Sequence, residues 1–157
     1  MIKVPEEVEA KFRAAGWKPG RLNPGYFSNQ ATSNSHANAV LQKFGGLNVG
    51  TCGPGQEMAT SNIHFLVSPT PAKSIAVSKW QGQLGPLTPV ADAHNDHMIV
   101  YVSDAGEYYF FTAPDEKLYF AGLTFGEATC RLLLGRSFGP EVEPNKSFKA
   151  DTLCVRP

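Results

Sequence analysis

No window of this 157-residue chain holds about 18 apolar residues in a row, so nothing in it reads as a membrane-spanning helix. The opening Met1-Ile2-Lys3-Val4-Pro5-Glu6-Glu7 turns acidic at once and lacks the apolar stretch of a secretion signal. The expected location is therefore the cytoplasm, with no membrane partner. An excess of either charge is missing too. Fourteen Lys and Arg balance fourteen Asp and Glu, so the net charge of zero gives no global case for direct binding to nucleic acid. Cysteine is scarce: Cys52, Cys130 and Cys154 are three, widely spaced and without a CxxC pair, which excludes a disulfide framework. Free thiols agree with a reducing compartment. Cys130 lies in an apolar helical stretch and reads as a small buried hydrophobe.

Catalytic groupings are equally thin. The stretch Gly50-Thr51-Cys52-Gly53-Pro54-Gly55 lacks the Lys-Ser/Thr that follows a phosphate-binding loop. It reads as a flexible loop. Cys52 with His64 or His94 as base is a nominal nucleophile pair, but no cationic neighbour in the sequence activates the thiol. Asp92-x-His94-x-Asp96-His97 places four potential ligands within six residues, with no helical histidine spacing to support them. A solvated polar loop is the expectation, with no metal, no cofactor and no enzymatic activity.

What the chain does have is helix grammar and a greasy centre. Val4, Val8, Phe12 and Ala15 recur at three- and four-residue steps, so Glu6 to Ala15 is a helix with one apolar face. Gly16 closes it, Pro19 prevents its resumption, and Trp17 lands where its ring covers the helix end. Arg21, after a Pro-Gly turn, is a structural clamp within reach of carbonyls or a carboxylate. A second helix through Ala37, Val40, Leu41 and Phe44, capped by Ser33 or Ser35, stops at Gly45-Gly46 before a strand from Leu47. Asn62 to Val67 is a strand. Ala72 to Leu84 is a helix burying Ile75, Val77 and Trp80. Leu87 to Val90, interrupted by Pro89, suits a sheet edge or the start of a strand.

Met98 to Val102 and Glu107 to Thr112 form a hairpin around Ser103-Asp104-Ala105-Gly106. Its strands are apolar on both faces, so it belongs near the sheet centre with helices on at least one side. Lys117 to Ala121 is another strand. Phe125 to Leu134 is the last helix, with Thr124 and Glu127 as a capping box and Gly135 as its stop. The expected fold is α+β: one domain over residues 1–135, an antiparallel sheet of about five or six strands and about four helices. Residues 136–157 read as an appended C-terminal tail, pinned by Phe138, Phe148, Leu153 and Val155.

One region is also short of positive charge. Between Trp80 and Glu116 there is no lysine or arginine, while Asp92, Asp96, Asp104, Glu107, Asp115 and Glu116 all lie there. If the sheet gathers the turns bearing these acids, they form an acidic edge that complements a positive partner.

The ordered set of Ala15-Gly16-Trp17-Lys18-Pro19-Gly20-Arg21, Phe44-Gly45-Gly46-Leu47, the Trp80 helix ending Leu84-Gly85, Leu87-Thr88-Pro89-Val90, the Asp104-Ala105-Gly106 hairpin and Leu123 to Gly135 resembles one family. It is similar to the third family of the SUKH immunity superfamily, over roughly residues 4–135, the extent of one ordinary domain. That resemblance implies an α+β bacterial immunity protein without enzymatic activity. Such a protein neutralises a cognate polymorphic toxin, often a nuclease or nucleic-acid deaminase, by binding it and occluding its active site. The six acids are then the expected partner-binding residues. Two other readings remain: a regulatory or scaffold interaction domain of the same fold, and a small metal-dependent hydrolase using His94 and His97. The sequence leaves the oligomeric state open.

Overall fold

The computed structural model describes residues 2–23, 26 and 31–144. Phe148, Leu153, Cys154 and Val155 lie outside the described residues. The chain runs α1 (Glu6–Ala14), α2 (Ser35–Phe44), β1 (Asn48–Val49), β2 (Ile63–Phe65), a 3-10 helix (Pro71–Val77), α3 (Ser78–Leu84), β3 (Leu87–Ala93), β4 (Met98–Ser103), β5 (Tyr108–Thr112), β6 (Lys117–Gly122) and α4 (Phe125–Leu134). The six strands form one sheet in the order β1-β2-β3-β4-β5-β6, every neighbouring pair antiparallel. It is an α+β domain.

Period-two alternation sends the central strands' side chains to two separate cores. Val100, Val102, Tyr108 and Phe110 meet α1, α2 and α4 on one face. Tyr101, Tyr109, Phe111, Leu118 and Phe120 meet Val77, Trp80 and Val142 on the other. Covering both faces is what makes β4 and β5 almost wholly buried. The helical side is an aromatic knot: Phe44 stacks on Phe125 at 4.7 Å, and Phe12 lies 5.6–6.1 Å from Phe44, Phe65 and Phe125. Trp17 sits edge-on to Phe12 at 6.3 Å, under the Arg13 guanidinium, and so covers the end of α1.

The helix ends follow local chemistry with one correction. Thr124 accepts from Glu127 N at 3.1 Å, while the Glu127 carboxylate reaches Leu123 N at 3.4 Å, completing the cap of α4. Arg21 donates to Lys43 O at 3.0 Å and Gly45 O at 3.1 Å, clamping the carbonyl end of α2. The cap of α2, however, is Asn34, not Ser33 or Ser35. Its Oδ1 accepts from Ala37 N at 3.0 Å while its Nδ2 donates to Val102 O at 3.1 Å. The amide carries its acceptor and its donor on separate atoms, so it reaches the helix and the sheet at once.

One further expectation is corrected. Ala72 to Leu84 is not one helix, because its first part is the tighter 3-10 form. Val77, the last residue of the 3-10 part, and Trp80 in α3 are buried, while Ile75 in the 3-10 part is 74% exposed. Of the two readings of Leu87 to Val90, a sheet edge or the start of a strand, the second holds. Leu87 to Val90 are the first residues of β3, and the shift in pairing register with β4 falls at Pro89/Ala91. Directly after the Gly50–Gly55 stretch, Gln56 N bonds to Leu134 O at 2.9 Å, and Glu57 N and Met58 N bond to Gly135 O at 2.7 and 2.9 Å. This loop satisfies the orphan carbonyls at the end of α4.

Beyond Gly135 the described chain wraps the outer edge of the sheet. Phe138 packs on Phe110 and Tyr119, Gly139 N bonds Phe120 O, Phe120 N bonds Pro140 O, and Val142 N bonds Leu118 O. Trp80 Nε1 then donates to Val142 O at 2.6 Å. The exposed side of β6 is thereby blunted against pairing with another chain.

Candidate partner-binding surface

The meander decides where the six acids go. Its β3–β4 and β5–β6 turns lie at one end of the sheet and its β4–β5 turn at the other. Ala113 N bonds His97 O at 2.9 Å, so the first two turns are neighbours. Asp96, Asp115 and Glu116 are all exposed on them. Asp104 and Glu107 belong to the opposite end, separated by the length of β4, roughly 20 Å at about 3.3 Å per residue. A single acidic edge does not form.

Asp92 is corrected further. It lies inside β3, partly buried, with Lys73 Nζ 3.0 Å from its carboxylate. That pairing cancels its charge locally, and it is not a turn residue. Glu107 is also spoken for: it accepts from Tyr109 OH at 3.2 Å. Burial first, then the Glu107 charge and this bond, push the Tyr109 phenol well above its usual range. Burial and Asp92 do the same to Tyr101, which donates to Lys73 O at 2.5 Å. Burial alone raises Tyr108. These phenols stay neutral and structural.

The acidic end is held by an unusual turn. His94, Asn95 and Asp96 take φ values of 51°, 52° and 68°, three consecutive left-handed residues without a glycine. Such backbone persists only where its surroundings over-determine it. Here His94 N bonds Asn62 O at 3.1 Å, Asn95 N bonds Asn62 Oδ1 at 2.8 Å, and His97 N bonds His94 O at 3.1 Å. Ser61 Oγ lies 3.0 Å from His94 Nδ1. On the neighbouring turn Thr112 Oγ1 donates to the Asp115 carboxylate, and Glu116 is left-handed at φ 52°. Both turns present their carboxylates from fixed backbone.

The same end brings Cys52 Sγ to 3.7 Å from His94 Nδ1 and 3.6 Å from Asn62 Oδ1. His94 is thus the histidine that meets the thiol. His64 stands in β2 opposite Asp92. His94 Nδ1 is shared between Ser61 and Cys52, an arrangement that holds the turn. The His94 and His97 rings are 6.4 Å apart, and among the described residues no group of three or more His, Cys, Asp or Glu is placed to hold a metal ion. Cys130 is buried and free, and burial raises its thiol pKa, ahead of the Glu7 charge.

Sequence reasoning missed a second surface on the helical side. Lys3, His36 and Lys43 line an open cleft beside Ala105-Gly106 at the tip of the β4–β5 hairpin. The His36 ring lies against Gly106 so closely that a Cβ there would fall 2.9–3.1 Å from it. The only available signal was the scatter of lysines on either side of the acid-rich middle, which carries no register.

A single antiparallel sheet with both faces covered makes an α+β domain, and no helix among the described residues is long and apolar enough to cross a membrane. The SUKH-3 immunity protein family model matches residues 4–135, and the chain belongs to that family. Its role is therefore that of an immunity protein. Neither the curated proteins nor the solved structures gave a match to it.

Proposed function

We propose that this immunity protein neutralises a cognate polymorphic toxin that acts on nucleic acid, a nuclease or a nucleic-acid deaminase, inside the cytoplasm. It binds the toxin through the end of the sheet that carries Asp96, Asp115 and Glu116, and it performs no chemistry of its own. The observation that supports this reading is the pairing of exposed carboxylates with rigid turns. An enzyme that holds a phosphate backbone offers a basic surface. Turns whose backbone is already fixed lose less conformational freedom when their carboxylates meet that surface. In this reading Asp92, bonded to Lys73, and Asp104 and Glu107, at the far end, are not the main contacts.

The test is co-expression with the product of the adjacent gene, followed by co-purification and an assay of its nucleic-acid activity. A stoichiometric complex that abolishes cleavage or deamination is expected. A toxin that co-purifies yet keeps full activity, or an adjacent product that acts on a different substrate class, overturns the proposal.

A further inference from the structure

We infer that the groove on the helical side is a docking site for an acidic peptide segment of a partner protein, with one apolar side chain seated beside Leu22 and Trp17. This site is separate from the acidic end, so both can be filled at once.

Two adjoining hollows make the groove. One, of about 470 Å³, lies between the N-terminal segment, α2 and the β4–β5 turn. The other, of about 410 Å³, runs beside Trp17, Arg21 and Leu22. Ile2, Lys3 and Lys43 line both, so they form one continuous trough. Each is within the roughly 300–1,000 Å³ range of ligand sites.

Its charged lining is mostly basic. Neither Lys3 nor Lys43 has an ion-pair partner among the described residues. Arg21 is occupied with the carbonyls of α2, but its charge remains on the wall. The one acid lining the trough, Glu9, is bonded to Arg13 at 2.7 Å. The floor is apolar: Ile2 is only partly covered, and Leu22 is 61% exposed, which is the kind of unspent surface that an incoming side chain buries. Lysines flanking an apolar trough complement carboxylates flanking an apolar residue.

A nucleic-acid strand fits less well. It needs free aromatic faces for its bases. The one tryptophan in the groove has its ring edge-on to Phe12 and capped by the Arg13 guanidinium at 5.5 Å.

The test uses three labelled probes on the purified protein at low salt: a decapeptide of glutamates around a central leucine, the same peptide with lysines for glutamates, and a single-stranded oligonucleotide of matching charge. The acidic peptide is expected to bind and to shift the amide resonances of His36, Lys43 and Ala105. The double variant Lys3→Glu/Lys43→Glu should weaken it by about tenfold or more with an unchanged circular dichroism spectrum, since Lys3 is exposed, Lys43 is only partly buried and neither has an ion pair to lose among the described residues. Leu22→Ser should weaken it several-fold by removing the apolar contact. Asp96→Lys/Asp115→Lys should bind it undiminished, which separates this site from the toxin-binding reading. Equal binding of the acidic and basic peptides, binding of the oligonucleotide alone, or indifference to the Lys3/Lys43 change each overturns the inference.

Discussion

At the scale of single residues, two glycines show how far backbone decides side chain. Gly135 ends α4 in the left-handed conformation at φ 69°, and a Cβ there would lie 2.1 Å from Met58 O and 2.8 Å from Gly55 Cα. Both are main-chain atoms, which do not swing aside. Gly82, inside α3, has nothing within 4 Å of the same position. Gly135→Ala is therefore expected to lose about 2 kcal/mol or more, combining the left-handed penalty with the clash. Gly82→Ala is expected to gain up to about 1 kcal/mol from restricting the unfolded chain. Urea unfolding midpoints check both, and the opposite signs guard against a general effect of added bulk. Gly135 as a helix stop was legible from its position after an apolar run. The partner it presses on, Gly55, was not, because the contact joins residues 80 apart and glycine leaves no periodic trace.

At the scale of elements, hydrophobic period carried most of the reading. Both strands of the β4–β5 hairpin, the first and last helices and the Thr124–Glu127 cap were legible, since each depends on neighbours in sequence. What escaped was set by tertiary partners. The 3-10 start at Pro71 differs from an α-helix by one residue per hydrogen bond, a distinction that apolar spacing over seven residues does not resolve. Asn34 was passed over between two serines because the property that selects it, a donor for Val102 O, belongs to β4. Two variants separate its roles. Asn34→Ser keeps an oxygen for Ala37 N and loses the bond to the sheet; Asn34→Ala loses both. Because the side chain is buried, the serine variant should cost about 1–2 kcal/mol and the alanine variant about 1 kcal/mol more. Equal losses in thermal or denaturant unfolding show that the cap contributes nothing beyond the bond to Val102 O.

At the scale of the whole molecule, the consequence of a strict meander is that its turns alternate between two ends, so acids close in sequence are sorted apart. That sorting was not legible from composition, which gave six acids in one stretch and no register. It divides the molecule into an end with Asp96, Asp115 and Glu116 and an end where Asp104 neighbours the lysine-lined groove. Association with a basic toxin should reflect the division. Because these carboxylates are exposed, salt screens them, and they act on the encounter rate more than on residence time. Asp96→Lys/Asp115→Lys should slow association by roughly tenfold or more at low ionic strength and flatten its dependence on salt. Asp104→Lys, at the opposite end, should leave both within about twofold. Stopped-flow mixing over a salt series measures each rate. If Asp104→Lys slows association by about as much per charge as the double variant does, net charge, not its placement at one end, steers the toxin, and the acidic end loses its claim as the binding face.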